Sequence, residues 1–405
     1  MLQAYRVLRH LRPSPTGLHA RPTVASSSRV RTPGVAPSSR QLWTGQENPR
    51  GPLVLFDIAN DRSPCSLQSA RSAPSHQLQQ SFSPNTIRSR LALHYKGLPY
   101  TQSWISYPDI ERLWDKLGIP PNDTQDKAGP RCTLPVLLVR TEDFPQASLS
   151  RLHDANIPGV PKKGLATKFG MFTPFSSTLS IALALELLFH DRNLHPPLFP
   201  THQSYEQAQQ VEGIITRLLP ATRRLILPSV PDILDARGKE YFIRTRKQWF
   251  GVSSLDELRP QSQRETDKLW EEIEHLLQPI IRTLQESPPQ RGPALNDPFT
   301  WKDDGDDQTL GNNARNQGDE QWETGVGNSV RYLSGASSLT PTPTPTPTYA
   351  DFILMAYLAW IARVDMDVWA RLTQDVGGGV LENLWTGCLP YMKSHTYVRT
   401  LSWFR

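Results

Sequence analysis

The chain has 405 residues, 37 of them proline, with a formal charge of +5 and a mean hydropathy of −0.47. That length holds two ordinary domains plus tails, and the proline load with the low hydropathy predicts sizeable non-globular segments. Within residues 1–50, eight arginines against Glu47 give +7, which leaves −2 for the rest, so the foldable part gives no electrostatic reason to invoke nucleic acid as a partner.

Residues 1–50 form a basic, Ser-rich tail. Its opening "MLQAYRVLRHLR" places Leu2, Tyr5, Leu8 and Leu11 on one helical face and Arg6 and Arg9 towards the other. This reads as a mitochondrial presequence, against the alternative of a basic tail with no address. Regular structure is predicted to start at "PLVLFDIA", 52–59, a short strand. Residues 60–82 are Ser/Gln/Pro-rich without period and read as an inserted loop. The helix that follows has Ser83 at the N-cap, Pro84 at N1, Ile87, Leu91 and Tyr95 as a buried stripe, and Gly97 as its stop. A strand at 100–107 and a short helix at 108–118 come next.

"RCTLPVLLV", 131–139, reads as a third strand, with Pro135 expected at an edge or first position because a mid-strand proline loses a ladder bond. A polar Gly/Pro-containing segment spans 140–166. "KFGMFTPF", 168–175, is the fourth strand, and 176–191 is a helix with Ser/Thr caps. After "PPLFP", 196–200, the pattern turns helical, with segments at 205–219, 238–251 and 265–285. Residues 287–347 break the period and end in "TPTPTPTPT", which reads as a disordered insertion. Helix resumes at 348–365, where Thr348 and Asp351 form a capping-box pattern, and continues near 366–374 and 380–393. The fold class is an α/β N-terminal layer of order β-α-β-α-β-β-α, followed by an all-α C-terminal domain. The domains expected are a tail at 1–50, the α/β domain at 51–200 and the all-α domain at 201–405.

Several chemistries are disfavoured. Cys65, Cys132 and Cys388 are far apart and form no CxxC pair, which argues against a disulfide scaffold or structural zinc. The ten histidines show no paired metal spacing. No apolar run reaches the roughly 20 residues of a membrane span; the best, "LSIALALELLF" at 179–189, is interrupted by Glu186. The "RTRK" run at 244–247 reads as a solvated face, and Trp249, Phe250, Trp360 and Trp385 as packing residues that include candidates for a pocket wall.

Three features carry chemistry. Ser83 sits where first-turn N–H groups lack partners and the helix dipole is positive, so its hydroxyl either holds a thiolate or simply caps the helix. Pro135 is either cis, with the Leu134 N–H and C=O presented to an extended peptide, or an ordinary trans proline. Ser177 and Thr178 at a helix start either bind a carboxylate or are plain caps. A small acidic thiol peptide would satisfy all three.

The stretches "SPNTIRSRLALHYKGLPY", "YPDIERLWDKLGIPP", "TLPVL", "SIALALE", "PPLFP" and "TYADFILMAYLAW" resemble the glutathione S-transferase superfamily, and within it the fungal and bacterial branch similar to bacterial β-etherases. The resemblance covers about 52–59, 83–139, 168–286 and 348–393. It implies a thioredoxin-like glutathione-binding domain followed by an all-α domain that shapes the site for a small apolar electrophile or ether. It maps the glutathione-activating serine onto Ser83, the cis-proline onto Pro135 after Leu134, and the γ-glutamyl-holding acid–Ser pair onto Ser177 and Thr178; Asn85, by its place on the first turn, is read as a support for Ser83. The sequence departs from that pattern in having Ser177 where the acid is expected and in carrying the 60–82 insertion. Glutathione is the implied co-substrate, and a homodimer is common in the family. The other reading is a non-catalytic binding or assembly module similar to metaxin.

Overall fold

The computed structural model describes residues 53–61, 81–122, 130–157, 160, 164–167, 170–291, 329–334 and 346–392. The N-terminal tail, most of the 60–82 insertion with Cys65, and most of 287–347 lie outside the described residues.

A five-stranded mixed sheet has the order β2-β1-β3-β5-β4. Its strands are β1 (Leu53–Ile58), β2 (Thr101–Ile105), β3 (Val136–Arg140), β4 (Leu165–Thr167) and β5 (Gly170–Phe175). β1 runs parallel to β2 and antiparallel to β3, and β5 runs antiparallel to both β3 and β4. All six β1 residues are buried, which explains its unbroken apolar run; a strand covered on both faces has no solvent side to alternate with. Pro135 immediately precedes Val136, the first paired residue of β3. The strand can therefore occupy the centre of the sheet without losing a ladder donor. The strand starts later than 131 for the same reason.

The α/β layer contains α1 (Pro84–Tyr95), α2 (Ile110–Leu117), α3 (Gln146–Asp154) and α4 (Thr178–Leu188). α1 ends at Gly97, whose φ of 64° is the left-handed turn that only glycine takes without strain. It is more than a one-sided amphipathic helix. Thr86, Arg88, Ser89 and Arg90 are buried along with Ile87, Leu91 and Tyr95, because α1 packs against α4 on one side and the helical domain on the other. Arg88 resolves its burial by pairing with Glu212.

The order β-α-β-α-β-β-α is present as β1-α1-β2-α2-β3-β5-α4, with an addition between β3 and β5: the polar segment after β3 contains a 3-10 turn at Thr141–Asp143, helix α3 and edge strand β4. α3 is held against α4, and Phe144 meets Phe189 edge-on at 5.3 Å between centroids. Only Ser148 of α3 is fully buried, so the helix carries too weak an apolar stripe to read from sequence.

The helical domain comprises α5 (His202–Ile226), α6 (Ala236–Phe250), α7 (Gln263–Glu286), α8 (Tyr349–Val364), α9 (Met366–Ala370) and α10 (Val380–Met392). A π-turn at Arg371–Val376 joins the last two, and a two-stranded pairing, β6 (Gln290–Arg291) with β7 (Ser329–Val330), follows α7. α5 does not stop at Leu219. It runs through Pro220 because Ala221, Thr222, Leu225 and Ile226 continue its buried stripe against α8, and that packing outweighs one missing hydrogen bond. α8 is the core of this domain, buried from Tyr349 to Ile361. Thr348 and Asp351 form the expected box, and Asp351 also accepts the N–H of Leu333 at 2.7 Å.

One buried pair fixes the linker to the α/β domain, and one part-buried histidine joins the two domains. Lys96 Nζ meets Glu186 Oε1 at 2.9 Å, and that carboxylate also accepts the N–H of Leu198 in the linker at 2.6 Å. His94 bridges the Tyr391 carbonyl at 2.7 Å and the Tyr100 hydroxyl at 3.0 Å, so it serves as a strut between α1 and α10. No described helix is long and apolar enough to cross a membrane.

Candidate functional site

Ser83 occupies the N-cap position of α1, with extended backbone (φ −70°, ψ 121°), and its carbonyl receives the N–H of Ile87 at 2.8 Å. Its side chain makes no capping bond. Among the described residues the Ser83 hydroxyl has no partner, and it is not sealed from solvent, although the residue is 5% exposed. Pro84 carries no N–H, and the N–H groups of Asn85 and Thr86 have no acceptor among the described residues. The helix start is thus a polarised end with one spare hydroxyl. Asn85 is exposed on the first turn and makes no bond to Ser83.

A buried carboxylate anchors this corner. Asp57, near the end of β1, accepts the N–H of Ile58 at 2.7 Å, Gln102 Nε2 at 2.8 Å and Ser81 Oγ at 3.2 Å. Burial pushes its pKa up to about 6, against the pull of Arg90, the Ile58 N–H and Ser81. The signal for it in the sequence is the single acid inside the apolar run "LVLFDI".

The Leu134–Pro135 peptide is cis. Leu134 precedes the first ladder pair, Phe56 with Val136, so its main chain lies off the ladder. Ser177 and Thr178 open α4, and here the hydroxyl is occupied. Ser177 Oγ accepts the N–H of Ser180 at 3.1 Å and donates to Ser180 Oγ at 2.9 Å, while Ser180 Oγ receives the Ser177 N–H at 3.1 Å. The Thr178 carbonyl receives the Tyr349 hydroxyl at 2.9 Å. This pair therefore forms a reciprocal cap, with Ser177 exposed.

The helical domain meets the C-terminal ends of β1 and β2 through α6. Ser106 donates to Asp235 at 2.9 Å, and Asp235 caps α6 at the Gly238 N–H. A Cβ at Gly238 would lie 2.5 Å from Asp235 Oδ1, so a side chain there would displace the capping carboxylate. Tyr107 then stacks on Tyr241 at 6.3 Å and tilts onto Phe242 at 5.6 Å. Arg246 is half-buried over Phe242 and Trp249, at 4.2 Å from each centroid, so the "RTRK" run is not wholly a solvated face. The sequence signal was the aromatic residues four before and three after that arginine.

Family models of the glutathione S-transferase N-terminal domain and C-terminal domain match residues 82–151 and 207–303. The chain belongs to the glutathione S-transferase superfamily. It is 28% identical over 316 residues to the glutathione S-transferase-like protein ustS of Aspergillus flavus, spanning 78% of this chain and 86% of that one. Among solved structures, a glutathione S-transferase of Ceriporiopsis subvermispora in complex with glutathione aligns at a TM-score of 0.53 and 20% identity, covering 84% of this chain and 97% of its own. The glutathione transferase GSTFuA2 of Phanerochaete chrysosporium aligns at 0.52 and 22% identity, covering 85% and 99%. These structures share the thioredoxin-like layer and helical domain of the superfamily.

Among the described residues no His/Cys/Asp/Glu cluster could hold a metal ion. Cys132 is half-buried and Cys388 buried in α10; burial pushes both thiols up, which disfavours either as a nucleophile.

Proposed function

We propose that the chain is a glutathione transferase in which Ser83 stabilises the glutathione thiolate. The observation that carries this is the spare Ser83 hydroxyl at a helix start whose Asn85 and Thr86 N–H groups also lack acceptors. A thiolate there gains one hydroxyl donor and the positive end of the helix dipole, and each pKa unit of depression corresponds to about 1.4 kcal/mol. The glutathione bound to the Ceriporiopsis relative supports the choice of thiol peptide.

Leu134, beside cis Pro135, aligns the peptide main chain as an added strand would. Ser177 and Thr178 receive the γ-glutamyl end through the first-turn N–H groups of α4, because the Ser177 hydroxyl is already used. Asn85 contacts the bound peptide and not Ser83. The thiol proton leaves to solvent. The thiolate sulfur then forms a C–S bond to an apolar electrophile or ether carbon, and the leaving group departs with the electron pair of its bond. The basic tail at 1–50 serves as a mitochondrial presequence, which a fluorescent fusion of that segment tests.

Retention on immobilised glutathione, followed by a conjugation assay of the wild type and Ser83→Ala, tests the reading. The expected result is retention of both proteins, with conjugation lost in the variant. Failure of the wild type to bind would favour the metaxin-like assembly role.

A further inference from the structure

The helical domain carries two cations that the apolar-acceptor reading leaves unused, Arg246 on α6 and Arg223 on α5. Tyr241, Phe242, Thr245, Arg246 and Trp249 are spaced to share one side of the helix. The Arg246 guanidinium carbon lies over rings, 4.2 Å from the centroids of Phe242 and Trp249 and 5.2 Å from that of Tyr107. Stacking engages the face of a guanidinium and leaves its N–H edges available. One edge bond is made, from Nη1 to Thr245 Oγ1 at 2.9 Å.

Neighbouring arginines are neutralised: Arg237 forks onto Asp109 at 2.8 and 2.9 Å, and Arg224 reaches Glu265 at 3.0 Å. Arg246 and Arg223 are not. No carboxylate among the described residues lies within ion-pair reach of either, yet the two guanidinium groups repel each other. Desolvation holds both below the ordinary arginine value, although Arg223 is exposed. Residues 62–80, the stretch between β1 and Ser83, contain Arg62 and Arg71 but no Asp or Glu, so that stretch supplies no counter-charge.

The cluster sits at the Ser83 end of the sheet. Tyr107 comes two residues after β2, the Asp57 charge acts on its hydroxyl, and Asp57 bonds Ser81. An aromatic wall with two guanidinium groups that no carboxylate among the described residues pairs, at the end of the sheet that leads to Ser83, fits an apolar ring that carries a negative group.

We propose that the acceptor of this chain is an aryl electrophile that carries both a leaving group and a carboxylate, with its ring against Tyr107 and Tyr241 and its carboxylate on Arg246 and Arg223. This rests on the glutathione-transferase reading for the identity of the nucleophile, but the binding geometry stands apart from it. The test is calorimetric binding of 4-chloro-3-nitrobenzoate and its uncharged carboxamide, without glutathione, to the wild type, Arg246→Gln and Arg223→Gln.

The wild type is expected to bind the acid at least about tenfold more tightly than the amide, the scale of one charge-assisted hydrogen bond. Each variant is expected to reduce that ratio, and if Arg246→Gln does not fold, Arg223→Gln carries the test. Equal binding of acid and amide by the wild type, or a preference that survives both substitutions, overturns the proposal. Loss of glutathione retention in Arg246→Gln with an unchanged acid-to-amide ratio also overturns it, by assigning the guanidinium to the peptide. Failure of the wild type to be retained on glutathione, with the acid preference intact, counts against the transferase reading alone.

Discussion

Ser81 Oγ donates to the Asp57 carboxylate at 3.2 Å, which ties the chain to the end of β1 two residues before Ser83. The chain thus enters α1 from a fixed point on the sheet. The position of the Ser83 hydroxyl depends on a buried acid that does not itself face a ligand.

Asp57 gives that corner a pH dependence. An unfolded aspartate titrates near pH ~3.9, whereas burial holds folded Asp57 at about 6. Between those values the folded state carries a proton that the unfolded state lacks. The stability is therefore full below the unfolded pKa and is lost as pH rises through the folded one, a difference on the order of 3 kcal/mol. Asp57→Asn is accommodated because the Gln102 Oε1 atom is buried without a partner and can accept from the new amide after a flip. Urea unfolding between pH 4 and 7 is expected to show a flatter profile for Asp57→Asn than for the wild type. Superimposable profiles would contradict this account of the corner.

The Lys96–Glu186 pair is nearly sealed, with side-chain exposures of 1% and 5%. Removing one member leaves a buried charge unmatched, so Lys96→Met is expected to cost about 3–5 kcal/mol. Adding Glu186→Gln removes the orphan charge and keeps an oxygen for the Leu198 N–H. The double variant is therefore expected to be more stable than Lys96→Met in denaturant unfolding.

Asp351 is fully buried and receives the N–H groups of both Thr348 and Leu333. A cap in an isolated helix is worth about 0.5–2 kcal/mol. Here Asp351→Ala strands two buried donors, each costing about 1–3 kcal/mol. Thermal unfolding is expected to show a loss at or above the upper end of the cap range, without a change in glutathione retention.

Much of this was legible in the sequence because local signals agreed with the fold. Ser83-Pro84, Gly97 and Thr348-x-x-Asp351 mark helix ends through backbone chemistry confined to a few residues. What escaped was non-local. The buried polar side of α1 depends on Glu212 and on α8, far along the chain. α3 and β4 are held by α4 and β5, with little pattern of their own. Asp57 and Arg246 read as an isolated acid in a strand and part of a charge run, because only the tertiary packing brings Ser81, Tyr107 and Trp249 to them.

The central claim, that the start of α1 holds a sulfur anion, is tested most directly by ultraviolet titration of the thiol of glutathione bound to the wild type and to Ser83→Ala. The Ser83 side chain does not cap α1, so the substitution is expected to leave stability within about 0.5 kcal/mol, and the comparison then reads the site alone. The account expects the bound thiol to titrate at least about one unit below free glutathione, with most of that depression lost in Ser83→Ala. A bound thiol that titrates like the free peptide, or a depression that is the same in both proteins, would contradict it.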